Sequence, residues 1–123
     1  MDFKSTETIY SQIIEYIKKQ IFSGSYGSGM RLPAIRDLAM QCRVNPNTIV
    51  RVYAALSEEG LIYTDSTNGK FVTMDRGYIL QKKREFLEEK TKIFAKEMQD
   101  AGLNADEVTE ILEKLFAEGK EEA

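Results

Sequence analysis

The sequence predicts a mostly α-helical fold with one small β-hairpin: an N-terminal winged helix-turn-helix followed by a two-helix C-terminal part. Three observations carry this. Two short amphipathic segments lie either side of Arg43-Val44, each opening at one of the chain's two prolines. A β-branched and aromatic hairpin pattern follows at once. Beyond Arg76 the chain becomes charged and helical, with apolar pairs recurring every seven residues.

The first element runs from Thr8 to Ser23, where Tyr10, Ile13, Ile14, Ile17 and Ile21 recur at helical spacing. Gly24 is placed to stop it, and Gly24-Ser25-Tyr26-Gly27-Ser28-Gly29 has loop composition. Pro33 introduces a helix over Ala34–Cys42, with Ile35, Leu38 and Ala39 on one face. Asn45 is a strong N-cap and Pro46 suits the first helical position of the next helix. Its apolar stripe, Ile49, Val52, Tyr53 and Leu56, extends to about Glu59, and Gly60 ends it.

Leu61–Thr64 and Lys70–Met74 read as strands, with turn chemistry over Asp65-Ser66-Thr67-Asn68-Gly69 between them. A hairpin directly after a helix-turn-helix is a wing. From Arg76 to about Ala101 a long helix is expected, carrying Ile79/Leu80, Phe86/Leu87 and Ile93/Phe94 at seven-residue intervals. A last helix starts at Asn104 with Glu107 completing a capping box, and Leu103 and Val108 spaced as a hydrophobic staple. Val108, Ile111, Leu112, Leu115 and Phe116 then make an apolar stripe, before a charged tail, Glu118–Ala123, expected to fray. The expected domains are residues 1–75 and 76–123.

Composition removes several function classes. The apolar fraction of 42% supports a core. No apolar run approaches the ~20 residues that span a bilayer, and Met1-Asp2-Phe3-Lys4 lacks the pattern of a secretory leader. The single cysteine, Cys42, forms no internal disulfide and suits a reducing cytoplasm, which is the expected location. Histidine is absent and one cysteine cannot build a thiolate zinc site, so neither metal nor cofactor is expected. No nucleophile–base pairing or phosphate loop is visible, and an enzyme is not expected. The net charge of −3 weighs mildly against nucleic acid. Residues 1–75, however, hold 8 Lys/Arg against 8 Asp/Glu, so all the excess acid lies beyond them. A neutral domain still binds DNA if its cations share a face, because the phosphate interaction is local.

With the stripe of the second short helix facing inward, its other side carries Asn47, Thr48, Val50, Arg51 and Ala54. Arg grips guanine and Asn adenine with paired hydrogen bonds, and recognition helices present their N-terminal residues to the major groove. Capping alone, however, explains Asn45 and Pro46 fully. Arg36 lies on the outer face of the preceding helix, which usually crosses the phosphate backbone, or it pairs with a surface acid such as Asp37. Asn68, Gly69 and Lys70 form the wing tip and its return, where a cation beside glycine suits a minor groove; an ordinary turn with a solvated lysine fits equally. Arg31 and Arg43 are weaker phosphate candidates.

Taken together, Arg31-Leu32-Pro33-Ala34-Ile35-Arg36-Asp37-Leu38-Ala39, Val44-Asn45-Pro46-Asn47-Thr48-Ile49, Glu58-Glu59-Gly60-Leu61-Ile62-Tyr63 and Gly69-Lys70-Phe71-Val72 resemble the winged helix of the GntR family of regulators. The Val-Asn-Pro-Asn-Thr run and the short segment after the wing resemble its YtrA-type subfamily. The resemblance implies a regulator, read here as a repressor, that binds double-stranded DNA through Arg36, Asn45, Asn47, Thr48, Arg51 and the surroundings of Gly69, with two C-terminal helices that dimerise. The larger subfamilies carry a separate ligand domain, for which this chain has no room; the effector is unnamed. Three departures stand out. Ala34 replaces a frequent serine, Val50 a frequent basic residue, and Thr67-Asn68-Gly69 after Asp65 a more usual Gly-x-Gly wing.

The stripes with Leu80, Phe86, Leu87, Ile93, Phe94, Val108, Ile111, Leu112, Leu115 and Phe116 are too apolar for isolated helices. They fold back on the winged helix or form a homodimer; the homodimer is favoured because so short a segment cannot bury two stripes alone. Two-fold symmetry implies a palindromic operator. The alternative function is a winged-helix protein-interaction module without DNA binding, which the acidic pI of about 5.1 favours.

Overall fold

The computed structural model describes residues 8–122; the Met1–Lys4 start therefore lies outside the described residues. In chain order the elements are α1 (Ile9–Phe22), α2 (Ile35–Cys42), α3 (Pro46–Glu58), β1 (Ile62–Thr64), β2 (Lys70–Val72), α4 (Arg76–Asp100) and α5 (Ala105–Glu122). The chain forms two compact units that divide between Lys83 and Arg84.

The first unit is a winged helix-turn-helix. Thr8 caps α1 by accepting from the Ser11 amide, and Ile13, Ile17 and Ile21 bury one side chain per turn. Gly24 ends α1 at φ +87°, a conformation glycine adopts without steric cost. Leu38, Ala39 and Cys42 of α2 and Ile49, Val52, Tyr53 and Leu56 of α3 join the isoleucines in one core, with Leu32, Leu61, Ile62 and Val72. Tyr53 is buried, and its hydroxyl donates to the Pro33 carbonyl at 2.7 Å, so its polar end is satisfied. Burial pushes that phenol well above its usual range and keeps it a neutral donor. Lys18 of α1 pairs with Glu59 at 2.9 Å, tying α1 to the C-cap of α3.

Pro33 sits just ahead of α2, which begins at Ile35, one residue later than the expected Ala34. Ala34 is the N-cap, extended at φ −60° and ψ 150°, and no side chain accepts from the open amides of the first turn. Ala34→Ser is therefore expected to stabilise the fold by about 0.5–2 kcal/mol. Thermal melts with and without the hydroxyl check this, and an unchanged or lower midpoint would count against it. Arg43 ends α2 in the left-handed region at φ 56°, which turns the chain into Asn45 and α3.

The hairpin is antiparallel, pairing Ile62 with Val72, Tyr63 with Phe71 and Thr64 with Lys70. Both strands are shorter than the apolar runs suggested, because Leu61 and Thr73 lie just outside the ladder yet still share a backbone hydrogen bond. The segment 29–32 lies along the other edge of β2: Gly29 donates to Val72, Val72 to Met30 and Leu32 to Lys70, and Arg31 bridges to Phe71. This edge strap has no alternating pattern, and it begins at Gly29, the last residue of the loop read from composition.

The division drawn from the sequence after residue 75 falls before the unit boundary, because the first turns of α4 pack on the winged helix. The Tyr78 hydroxyl donates to the Glu59 carbonyl and its ring covers Gly60, while Ile79 packs against the core.

In the second unit, Gly102 at φ +88° breaks the helix, and Asn104 and Glu107 exchange side-chain-to-amide hydrogen bonds of 2.9 and 3.0 Å. That reciprocal pair is the capping box expected from sequence. α5 runs to Glu122, with Lys120 in its last turn where a cation suits the helix end, and Ala123 of the charged tail lies outside the described residues. Among the described residues 84–120 none is buried. Phe116 is 71% exposed, Leu115 56% and Ile93 54%, so both stripes face solvent within one chain.

Candidate nucleic-acid interface

The recognition-helix candidate is held from below by its four buried residues and from its N-terminus by Asn45. The Asn45 side chain accepts from the Asn47 amide at 2.8 Å, which fixes the helix start and occupies its carbonyl oxygen. Its amide nitrogen stays on the exposed surface. Asn47, Val50, Arg51 and Ala54 are exposed and Thr48 is half-buried, so the outward face is the one the spacing foretold. Asn47 and Arg51 stack one turn apart on it.

Arg51 is not a loose side chain. Its guanidinium carbon lies 4.6 Å from the centre of the Tyr10 ring on α1. Arg36 is exposed on α2, and Arg43 is exposed at the turn between the two helices.

The wing differs more from expectation. Gly69 is buried: a Cβ there would meet the Phe71 ring at 3.0 Å and the Arg31 guanidinium at 3.3 Å. Internal packing thus already requires this glycine. Arg31 lies 5.9 Å from the Phe71 ring centre, and Tyr63 stacks on the same ring at 5.7 Å. The cation built into the wing therefore comes from the strap before α2, a position read from sequence only as a weak phosphate candidate. No local pattern pairs Arg31 with Gly69; the signal would have been the strap's pairing with β2. Lys70 donates across the hairpin to Thr64 at 2.6 Å, and Asn68 occupies the exposed tip at φ 63°.

Asp65 organises that tip. Its Oδ1 accepts from the Thr67 hydroxyl at 2.6 Å, the Thr67 amide at 2.9 Å and the Gly69 amide at 3.2 Å. The Thr67 hydroxyl bond, helped by the amides and by the charge of Arg31, holds its carboxyl below the ordinary 3.8. A depressed carboxylate stabilises the folded wing above its ordinary value, and that contribution is lost as pH falls through the depressed one. The Thr67 and Gly69 amide resonances are thus expected to stay constant from neutrality to about pH 4 and to move only below it. Movement centred near pH 5 would contradict the arrangement.

Leu80 lies in the first unit, exposed on the early turns of α4. Phe86, Leu87, Ile93, Phe94, Val108, Ile111, Leu112, Leu115 and Phe116 lie in the second, with Phe86 and Val108 half-buried and the others exposed. Cys42 is buried, and its burial raises the thiol's pKa, which disfavours a reactive thiolate. Among the described residues no group of three or more Cys, Asp or Glu side chains is placed to hold a metal ion, and no helix is long and apolar enough to cross a membrane.

The family model described as bacterial regulatory proteins, gntR family, matches residues 9–72, the stretch from α1 through β2. The chain is 28% identical over 121 residues to the HTH-type transcriptional repressor YtrA of Bacillus subtilis, covering 98% of this chain and 93% of that protein. A solved GntR family transcriptional regulator from Listeria monocytogenes superposes with a TM-score of 0.84 at 37% identity, over 91% of this chain and 98% of that one. The DNA-binding domain of AraR, solved in complex with operator ORR3, superposes with a TM-score of 0.53 at 26% identity, over 59% of this chain and 88% of that one.

Proposed function

The chain belongs to the gntR family of bacterial regulatory proteins, and from that premise we propose that it is a YtrA-type repressor that binds a palindromic operator as a homodimer. The observation that carries the DNA reading is the outward face of α3. Its buried stripe leaves Asn47 and Arg51 exposed one turn apart at the N-terminal half of a helix-turn-helix. The operator complex of the AraR domain supports the same use of this fold.

In this reading Asn47, Thr48 and Arg51 face base edges, while Asn45 lies towards phosphate. Arg36, Arg31 and Lys70 supply phosphate or minor-groove contacts, with Asn68 and Gly69 shaping the wing tip. The C-terminal helices of two copies bury each other's apolar stripes, and the paired half-sites give a nearly neutral reader its affinity. The division of labour is a reader that takes in the first turns of α4 as far as Lys83 and a dimerisation part beyond it. The protein works in the cytoplasm and is not an enzyme.

The test is a gel shift with the duplex upstream of the protein's own gene, titrated with salt. Binding is expected to weaken by ~0.9 log units per log unit of salt for each phosphate neutralised. Absence of binding at low salt would sink the proposal.

A further inference from the structure

We infer that Tyr10 is a positioning residue for sequence readout: its ring holds the Arg51 guanidinium with the hydrogen-bonding edge free for a base pair. The inference rests on the DNA reading assigned to α3. The guanidinium carbon is 4.6 Å from the ring centre, inside the ~6 Å range of a cation–π contact. The Thr8 cap fixes the first turn of α1, and Tyr10 is half-buried and packed against the core, so the ring is a firm platform. Among the described residues no carboxylate pairs with Arg51, so the guanidinium's charge and donors are not consumed by an ion pair.

The chemistry of the contact matters. A guanidinium is planar and carries five N–H donors around its rim. A ring held at cation–π distance takes up no carboxylate-type ion pair, so the arginine keeps N–H donors for paired bonds to guanine O6 and N7. An exposed arginine otherwise samples many rotamers, and fixing one on binding costs affinity. The ring offsets part of that cost before DNA arrives. The neighbouring Val50 offers no such donors, which leaves the second turn of α3 dependent on Arg51 for polar readout.

A purely structural Tyr10 would affect melting and leave base preference alone. The test uses the full chain and a duplex that the wild type enriches from a random-sequence library, with a scrambled duplex of equal length beside it. Tyr10→Leu is expected to weaken binding to the enriched duplex by roughly two- to fivefold, with little change on the scrambled one. Tyr10→Phe, which keeps the aromatic face, is expected to recover the enriched binding. In an Arg51→Ala background Tyr10→Leu should add no further loss. Tyr10→Met replaces the leucine variant if leucine lowers the melting midpoint. Equal loss on both duplexes, an undiminished loss in the Arg51→Ala background, or wild-type selectivity in Tyr10→Leu would each overturn the inference while leaving the DNA reading intact. Failure of the wild type to enrich any sequence would overturn the DNA reading, and the inference with it.

Discussion

If the proposed homodimer is held by α5, Leu112→Asp is expected to leave a monomer and to lower operator affinity by roughly 100-fold or more, the usual penalty for losing a tethered second site. Leu112 lies mid-stripe on α5, flanked on the same face by Val108, Ile111, Leu115 and Phe116. It is 36% exposed in one chain, so a carboxylate there is tolerated by the monomer. In a dimer the same carboxylate would be buried without a partner, which costs several kcal/mol. The helix already carries Asp106, Glu107, Glu110 and Glu113, so the new charge also meets like charges across a two-fold axis. Sedimentation velocity at micromolar concentration reads the outcome, with circular dichroism confirming intact helices. A variant that still sediments as a dimer would show that α5 is not the interface.

Much of the fold was legible because its signals are local. An N-cap needs only a polar side chain two or three residues ahead of an amide, so Asn45 and the Asn104–Glu107 box could be read directly. The buried stripes of α1, α2 and α3 follow from helical period alone. The strap at 29–32 could not be read this way. Its pairing with β2 joins segments distant in sequence, and Gly29-Met30-Arg31-Leu32 has no alternation to advertise a strand. The same holds for the first turns of α4. The seven-residue repeat assigned Ile79 and Leu80 to the C-terminal stripe, whereas Tyr78 and Ile79 pack against the winged-helix core. Periodicity reports which face of a helix is apolar and does not report what covers it.

The candidate site divides in the same way. The exposure of Asn47 and Arg51 follows from the inward stripe of α3, since two faces of one helix are complementary. What surrounds them does not follow. The Tyr10 ring beneath Arg51 belongs to another helix, where its spacing places it on the apolar face. In the wing, Gly69 reads from sequence as room for DNA, yet that room is taken by Phe71 and Arg31. Asp65, which a close phosphate would repel, spends its charge on Thr67, Gly69 and the nearby guanidinium.

Arg51→Ala is expected to cost about 1–3 kcal/mol on the selected operator and to relax preference at the base it faces. Binding to random duplex should change much less. The reasoning turns on where the charge sits. Arg51 lies one turn beyond Asn47, on the face that the buried stripe of α3 turns outward, and its rim of donors is free of ion pairs among the described residues. A phosphate-gripping arginine would instead lose affinity equally on all sequences and reduce the salt slope by about one unit. The fold itself should survive, because the lost contact with Tyr10 is an exposed cation–π pair worth about 0.5–1 kcal/mol. Titrating both duplexes at several salt concentrations separates the cases. Equal losses with a shallower slope would move Arg51 from base reading to backbone binding and leave Asn47 and Thr48 as the remaining readers on α3.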